Sequence, residues 1–163
     1  MDMTIDLIEN FTEWAKKKGW TIARAETAME LPKEVTTRYK NIPKQWLEFI
    51  ISFVDIMNST DDMWFLTCEN FLDGGWSYND FENMSLEAAD GDEEWSAEIK
   101  TFWDNTFPII MSVGGDYQYY AIELDSGKVV QGWEPEFEYP SVVAESFVEF
   151  LEKLIASEIE LVV

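Results

Sequence analysis

The 163-residue chain contains no histidine and only one cysteine, Cys68. Without imidazole it lacks the usual general base near neutral pH, and every Ser-His or Cys-His nucleophile pair is excluded. A lone thiol cannot form an intrachain disulfide, and a tetrahedral zinc site would need unusual ligands. Cys68 is therefore expected to be a buried, uncharged thiol. Long apolar runs are also missing: Phe49-Ile50-Ile51 falls far short of the ~20 residues that span a bilayer. No phosphate-cradling glycine loop with a following Lys occurs, and no dinucleotide fingerprint. The amino end, Met1 to Asp6, is acidic and has no basic stretch leading into an apolar run. Together these absences predict a cytoplasmic protein without cofactor or metal, and not an enzyme.

Basic side chains are the second scarcity. The chain has 11 Lys and Arg against 33 Asp and Glu, a formal net charge of −22. The deficit begins after Lys44. Residues 1–44 hold 8 basic and 7 acidic residues, whereas residues 45–163 hold 3 and 26. From Gln45 through Ile99 there are 14 carboxylates and no Lys or Arg. Such a field repels nucleic acid and anionic membranes and attracts basic surfaces. A basic protein is thus the expected partner, with no nucleic acid and no membrane. Self-repulsion at this charge favours a monomer. Solubility alone is the other reading of the same numbers.

What is present suits a single domain over residues 1–163. Apolar residues make up 47% and aromatics 15%, ample for a core. Residues 1–41 read as an amino-terminal helix and an irregular lead-in, and residues 42–156 as the domain core. Ile5, Ile8, Phe11 and Ala15 share one helical face, closed by Lys16-Lys17-Lys18-Gly19. Trp20 to Glu30 is either a short strand or irregular, and Leu31-Pro32 opens a brief helical turn ending near Tyr39. Ile42-Pro43 starts a firmer helix whose stripe of Trp46, Phe49, Ile50, Phe53, Val54 and Met57 predicts one long element. Met63 to Cys68 reads as a buried strand, and Asp73-Gly74-Gly75 as a turn. One helical turn is expected at Ser85 to Ala89. A helix over Asp92 to Asp104 has Trp95, Ile99, Phe102 and Trp103 inside.

Phe107–Val113, Tyr117–Leu124 and Lys128–Trp133 are three strands joined by Gly114-Gly115-Asp116 and Asp125-Ser126-Gly127, an antiparallel meander. Glu134 to Pro140 is an acidic loop. Ser141 is a plausible cap for a last helix with Val143, Phe147, Phe150, Leu151, Leu154 and Ile155 inside. The fold class is accordingly α+β, a mainly antiparallel sheet flanked by helices.

Few motifs carry chemistry. An Asp/Glu pair beside aromatics would suit a carboxylate-dependent hydrolase or sugar binder, but pairs of carboxylates arise by chance in so acidic a chain. Asp90-Gly91-Asp92-Glu93-Glu94 lacks the spaced oxygens and distal bidentate Glu of a calcium loop. Gly114-Gly115-Asp116 is read as a hairpin needing positive φ rather than an anion nest. What remains is surface. One acidic cluster comprises Asp80, Glu82, Glu87, Asp90, Asp92, Glu93 and Glu94. A second comprises Glu134, Glu136 and Glu138 interleaved with Trp133 and Phe137. Aromatic anchors ringed by acids suit docking of a basic protein; ordinary solvated faces are the alternative. These twelve residues are the expected partner-binding set.

The order Phe107-Pro108-Ile109-Ile110, Gly114-Gly115-Asp116-Tyr117, Tyr120-Ala121-Ile122-Glu123-Leu124 and Gly127-Lys128-Val129-Val130 resembles the central signature of the SUKH superfamily, the SMI/KNR-like cell-wall assembly regulators and bacterial immunity proteins. Ile42-Pro43 with Trp46, Phe49 and Ile50 resembles its proline-started helix, and Val143 to Leu151 its closing helix, so the resemblance spans roughly Ile42 to Leu154. It implies a curved sheet packed against helices and a non-enzymatic role, in bacteria commonly neutralisation of a cognate toxin, often a nuclease, by direct binding. A regulatory or scaffold module with an endogenous partner is the other role it allows. It implies no particular contact residues.

Overall fold

Each strand pairs with the next one along the chain. In the computed structural model, which describes residues 3–71 and 76–162, the strands are β1 (Thr21–Arg24), β2 (Phe53–Met57), β3 (Met63–Phe65), β4 (Thr106–Ser112), β5 (Gln118–Glu123), β6 (Val129–Trp133) and β7 (Ser141–Ala144). They form one open, curved sheet in that order, antiparallel throughout. The helices among the described residues are α1 (Ile5–Lys17), α2 (Lys33–Arg38), α3 (Lys44–Ile50), α4 (Asp80–Ala88), α5 (Glu93–Asp104) and α6 (Phe147–Ile155). The α+β class and the β4–β6 meander agree with the sequence. The turn expected at Asp73-Gly74-Gly75 lies outside the described residues. No helix among the described residues is long and apolar enough to cross a membrane.

Helices cover the sheet on both faces. Side chains alternate along β5: Tyr120 meets Phe150 of α6 with ring centroids 5.4 Å apart, while Tyr119 meets Trp103 of α5 at 4.9 Å. On the α6 side, Phe11 of α1 and Phe49 of α3 meet edge to face at 4.9 Å, and both rings pack on Phe65 of β3. Burial on two sides explains why all seven residues of β4 are buried. Such a strand reads as a continuous apolar run rather than an alternating one.

Local signals set most boundaries. The Thr4 hydroxyl accepts from Leu7 N–H at 3.0 Å to cap α1, and Gly19 ends it at φ 83°. Ile5, expected on the inner face, is 78% exposed. It precedes the first residue at which α1 touches the core. Trp95 is likewise 43% exposed, because α5 turns Ile99 and Trp103 inward and leaves its first turn in solvent. Positive φ in the meander falls at Gly127 (φ 80°) and not at Gly114 or Gly115.

Four elements differ from the sequence expectation. The strand expected over Met63 to Cys68 ends at Phe65, and Cys68–Phe71 forms a short 3-10 helix. The long stripe after Pro43 is split: α3 ends at Ile50, and Phe53 to Met57 is a strand. Phe53 and Ile56 are the buried pair of β2, a three-residue spacing that mimics a helix. Pairing with β1 and β3 and the β-branched content settle it as strand. Ser141 opens β7, and the cap of α6 is Ser146, whose hydroxyl accepts from Glu149 N–H at 3.1 Å. A Ser-x-x-Glu signature was present there. Helix α4 is nine residues long, not one turn. Its inner face carries Glu82 and Ser85 beside Phe81, which weakens the apolar period.

The polar face of α4 is satisfied at long range. Arg38 at the end of α2 donates to both oxygens of Glu82, at 2.8 and 2.9 Å, and through Nε to Asp104 at 3.1 Å. Its guanidinium also lies 5.0 Å from the centre of the Tyr39 ring. The buried Glu82 carboxylate is paired with good geometry, which a buried charge requires.

Two predictions follow from the core. Phe49 is fully buried against Phe11, Phe53, Phe65 and Phe147. Phe49→Ala is expected to cost about 3–5 kcal/mol in urea denaturation, and a loss below ~1 kcal/mol would contradict this packing. Cys68 is buried, and its burial pushes the thiol up to about 11 from 9.0. The fold favours the protonated form, so this contribution is whole below pH 9.0 and lost as pH rises toward 11. Native protein at pH 8 should resist Ellman's reagent until urea is added; fast labelling without urea would place the thiol at the surface.

Candidate functional site

Tyr119 fixes the acidic loop that follows β6. Its ring lies directly over Gly132, where a Cβ would stand 2.6 Å from the hydroxyl oxygen and 2.7 Å from the ring carbons. Only glycine leaves that space. The Tyr119 hydroxyl donates to the Phe137 carbonyl, and Phe137 stacks on Phe81 of α4 at 4.7 Å. Burial holds this phenol protonated far above its ordinary range, with the charges of Glu138 and Glu123 adding to the effect. Next along, one Glu138 oxygen accepts from the Ser85 hydroxyl and from Trp103 Nε1, both at 2.8 Å. Glu134 is tied at the loop's start, its carboxylate accepting from Tyr117 N–H at 3.2 Å and its own N–H donating to the Tyr117 carbonyl at 2.9 Å. The Glu134-Pro135 peptide is cis.

These contacts draw the two acidic clusters to opposite flanks of α4. On one flank lie Glu87 and Asp90, then Asp92, Glu93 and Glu94 at the start of α5, all exposed. On the other lies the 134–139 loop, with Glu136 exposed and Glu134 half-buried. Trp133, at the end of β6, is 50% exposed.

The remaining residues of the expected set have internal roles. Glu82 is buried in its pair with Arg38, and Phe137 is buried between Phe81 and Tyr119. Glu138 is taken up by Ser85 and Trp103. Glu82 and Glu138 are anchors rather than contact residues, because their carboxylates are taken up inside the fold, and Phe137 is 3% exposed. Asp80 accepts from Ser77 N–H at 2.8 Å, ordering the approach to α4. Asp92 caps α5 by accepting from Trp95 N–H at 2.9 Å, following Gly91 at φ 87°. That turn-and-cap role accounts for the Asp90 to Glu94 sequence. No group of three or more His, Cys, Asp or Glu among the described residues could hold a metal ion.

Between α4 and the loop lies a groove that sequence reading did not reveal. It has a volume of about 480 Å³ and is lined by Met84, Ser85, Ala88, Asp116, Glu134, Pro135 and Phe137. Its floor is mainly apolar, and Asp116 and Glu134 supply the charge. The residues come from α4, the β4–β5 turn and the loop after β6, so no linear motif could have joined them. Asp116 in the Gly114-Gly115-Asp116 turn was the single visible hint. A second groove, lined by Asp116, Gln118, Gln131 and Trp133 among others, shares Asp116 with the first.

No family model, curated protein or solved structure matches this chain.

The loop's anchoring makes a contrast between neighbours. Glu138→Lys strands the Ser85 and Trp103 donors and sets a cation against them at a half-buried position, and should cost about 2–3 kcal/mol in urea denaturation. Glu136→Lys, two residues away and exposed, should stay within about 0.5 kcal/mol of the parent. Equal effects at the two sites would mean that the loop is not pinned through Glu138.

Proposed function

We propose that this chain is a non-catalytic binding domain for a basic protein, acting as an immunity protein that neutralises a cognate toxin by covering its surface. The observation that carries the reading is the placement of charge. Glu87, Asp90, Asp92, Glu93, Glu94 and Glu136 are exposed beside α4 and outnumber the exposed Lys100 that lines a groove with Asp90, Asp92 and Glu93, while Arg38 is paired with Glu82 and Asp104. A partner with a nucleic-acid-binding cleft, such as a nuclease, has the complementary sign. The resemblance to SUKH immunity proteins points to the same class of partner.

The test is capture of the neighbouring gene's product by the tagged protein, paired with rescue of growth when the two are co-expressed. Capture with rescue supports immunity. Capture of a non-toxic endogenous partner instead would make the domain a regulatory module. For the captured basic partner, the association rate should fall at least about tenfold between low and high salt. The variant Glu87→Lys/Asp90→Lys/Glu94→Lys should lower the rate similarly with little change in Tm. A salt-independent rate would rule out electrostatic steering.

One observation favours a second reading. Asp116 and Glu134 line the same groove as Phe137, the kind of setting that a carboxylate-dependent hydrolase or sugar binder needs. Hydrolysis of a chromogenic glycoside, abolished by Asp116→Asn/Glu134→Gln, would establish it over the binding reading.

A further inference from the structure

We infer that the groove between α4 and the 134–137 segment is a subsite for a single arginine side chain of the basic partner. The inference deepens the proposed function and rests on it. Long basic side chains combine an aliphatic stem with a charged head, and they bind best where an apolar surface leads to anionic oxygen. The groove combines both kinds of surface. Met84, Ala88, Pro135 and Phe137 offer the apolar lining, and Asp116 and Glu134 the charge. Its volume of about 480 Å³ accommodates a long side chain together with its adjoining backbone.

The walls are preorganised. Phe137 is held by Tyr119 and Phe81, and one Glu134 oxygen is bonded to Tyr117 N–H. Little ordering is left to be done when a side chain enters, which favours affinity. Arginine fits better than lysine because guanidinium is planar, weakly hydrated and able to bond a carboxylate while lying on an apolar surface. The acids on the far flank of α4, at Glu87 and Asp90, lie outside this groove. They border grooves lined by Leu86, Asn83, Asp92, Glu93 and Lys100 among others. They supply long-range attraction, whereas the Asp116–Glu134 side supplies a place to dock.

The experiment is an amide NMR titration of the whole protein with N-acetyl-arginine methylamide, set against its neutral isostere N-acetyl-citrulline methylamide. Saturable shifts are expected at Met84, Ala88, Asp116 and Phe137, with citrulline binding at least about fivefold more weakly. Asp116→Asn/Glu134→Gln should weaken arginine by a similar factor. Ala88→Leu narrows the groove without changing charge in an exposed helical position, and should do the same. Equal binding of the two probes overturns the inference. So do unsaturable shifts spread over Glu87 to Glu94, or full arginine affinity in both variants. These results concern the groove alone. Failure here beside successful capture of a basic partner would discard the subsite and keep the proposed function; arginine binding without any captured basic partner would do the reverse.

Discussion

The close approach of Tyr119 to Gly132 is the constraint on which the acidic surface depends. Antiparallel neighbours in a sheet normally carry side chains that stand side by side on one face. Here one of the pair has none, and the phenol lies down over the bare backbone of β6. That posture aims the hydroxyl at the loop beyond β6 and fixes Phe137 against α4. With Phe137 seated, Glu138 reaches Ser85 and Trp103, and α4, α5 and the loop become one layer. Substitution at Gly132 would therefore be felt far from the glycine itself.

That layer is unusual in how it is held. The α6 side of the sheet is packed in the ordinary way, with the rings of Phe11, Phe65 and Phe147 all set against Phe49. The α4 side adds polar ties: Glu82 to Arg38, Glu138 to two donors, and Tyr119 to a carbonyl. Each tie joins residues far apart in sequence and leaves few ways to satisfy its buried groups. Such ties contribute modestly when made and cost heavily when broken. They fix where α4 sits more than they add to stability.

A chain with this net charge carries a standing repulsive cost in the folded state. The structure meets part of it by neutralising Glu82 internally and by leaving most other carboxylates in water, where repulsion is screened. Exposed acids occur along the whole chain, and one dense run of them, Glu87 to Glu94, lies where α4 gives way to α5. A concentrated field raises encounter rates with basic partners, a benefit that uniform charge would not supply. The adjoining groove adds shape to that field.

Local sequence was enough for the class of fold, the β4–β6 meander and the first and fifth helices, because these rest on periodicity, caps and turns. The burial of Cys68 follows from the general preference of an unpaired thiol for the core. The sequence also determined the sign of the surface, since composition fixes net charge whatever the fold. Tertiary structure decided the rest. Phe53 and Ile56 are three residues apart whether on a helix or on this strand, and only pairing with β1 and β3 makes the choice. Helix α4 hides from periodicity because its inner face holds a glutamate and a serine whose partners lie 44 and 53 residues away. The same long-range bonds decide how far acids are exposed: Glu136 is exposed and Glu138 is half-buried on its two donors, though nothing in their local sequence separates them. A groove assembled from three distant segments exists only once the sheet has brought them together.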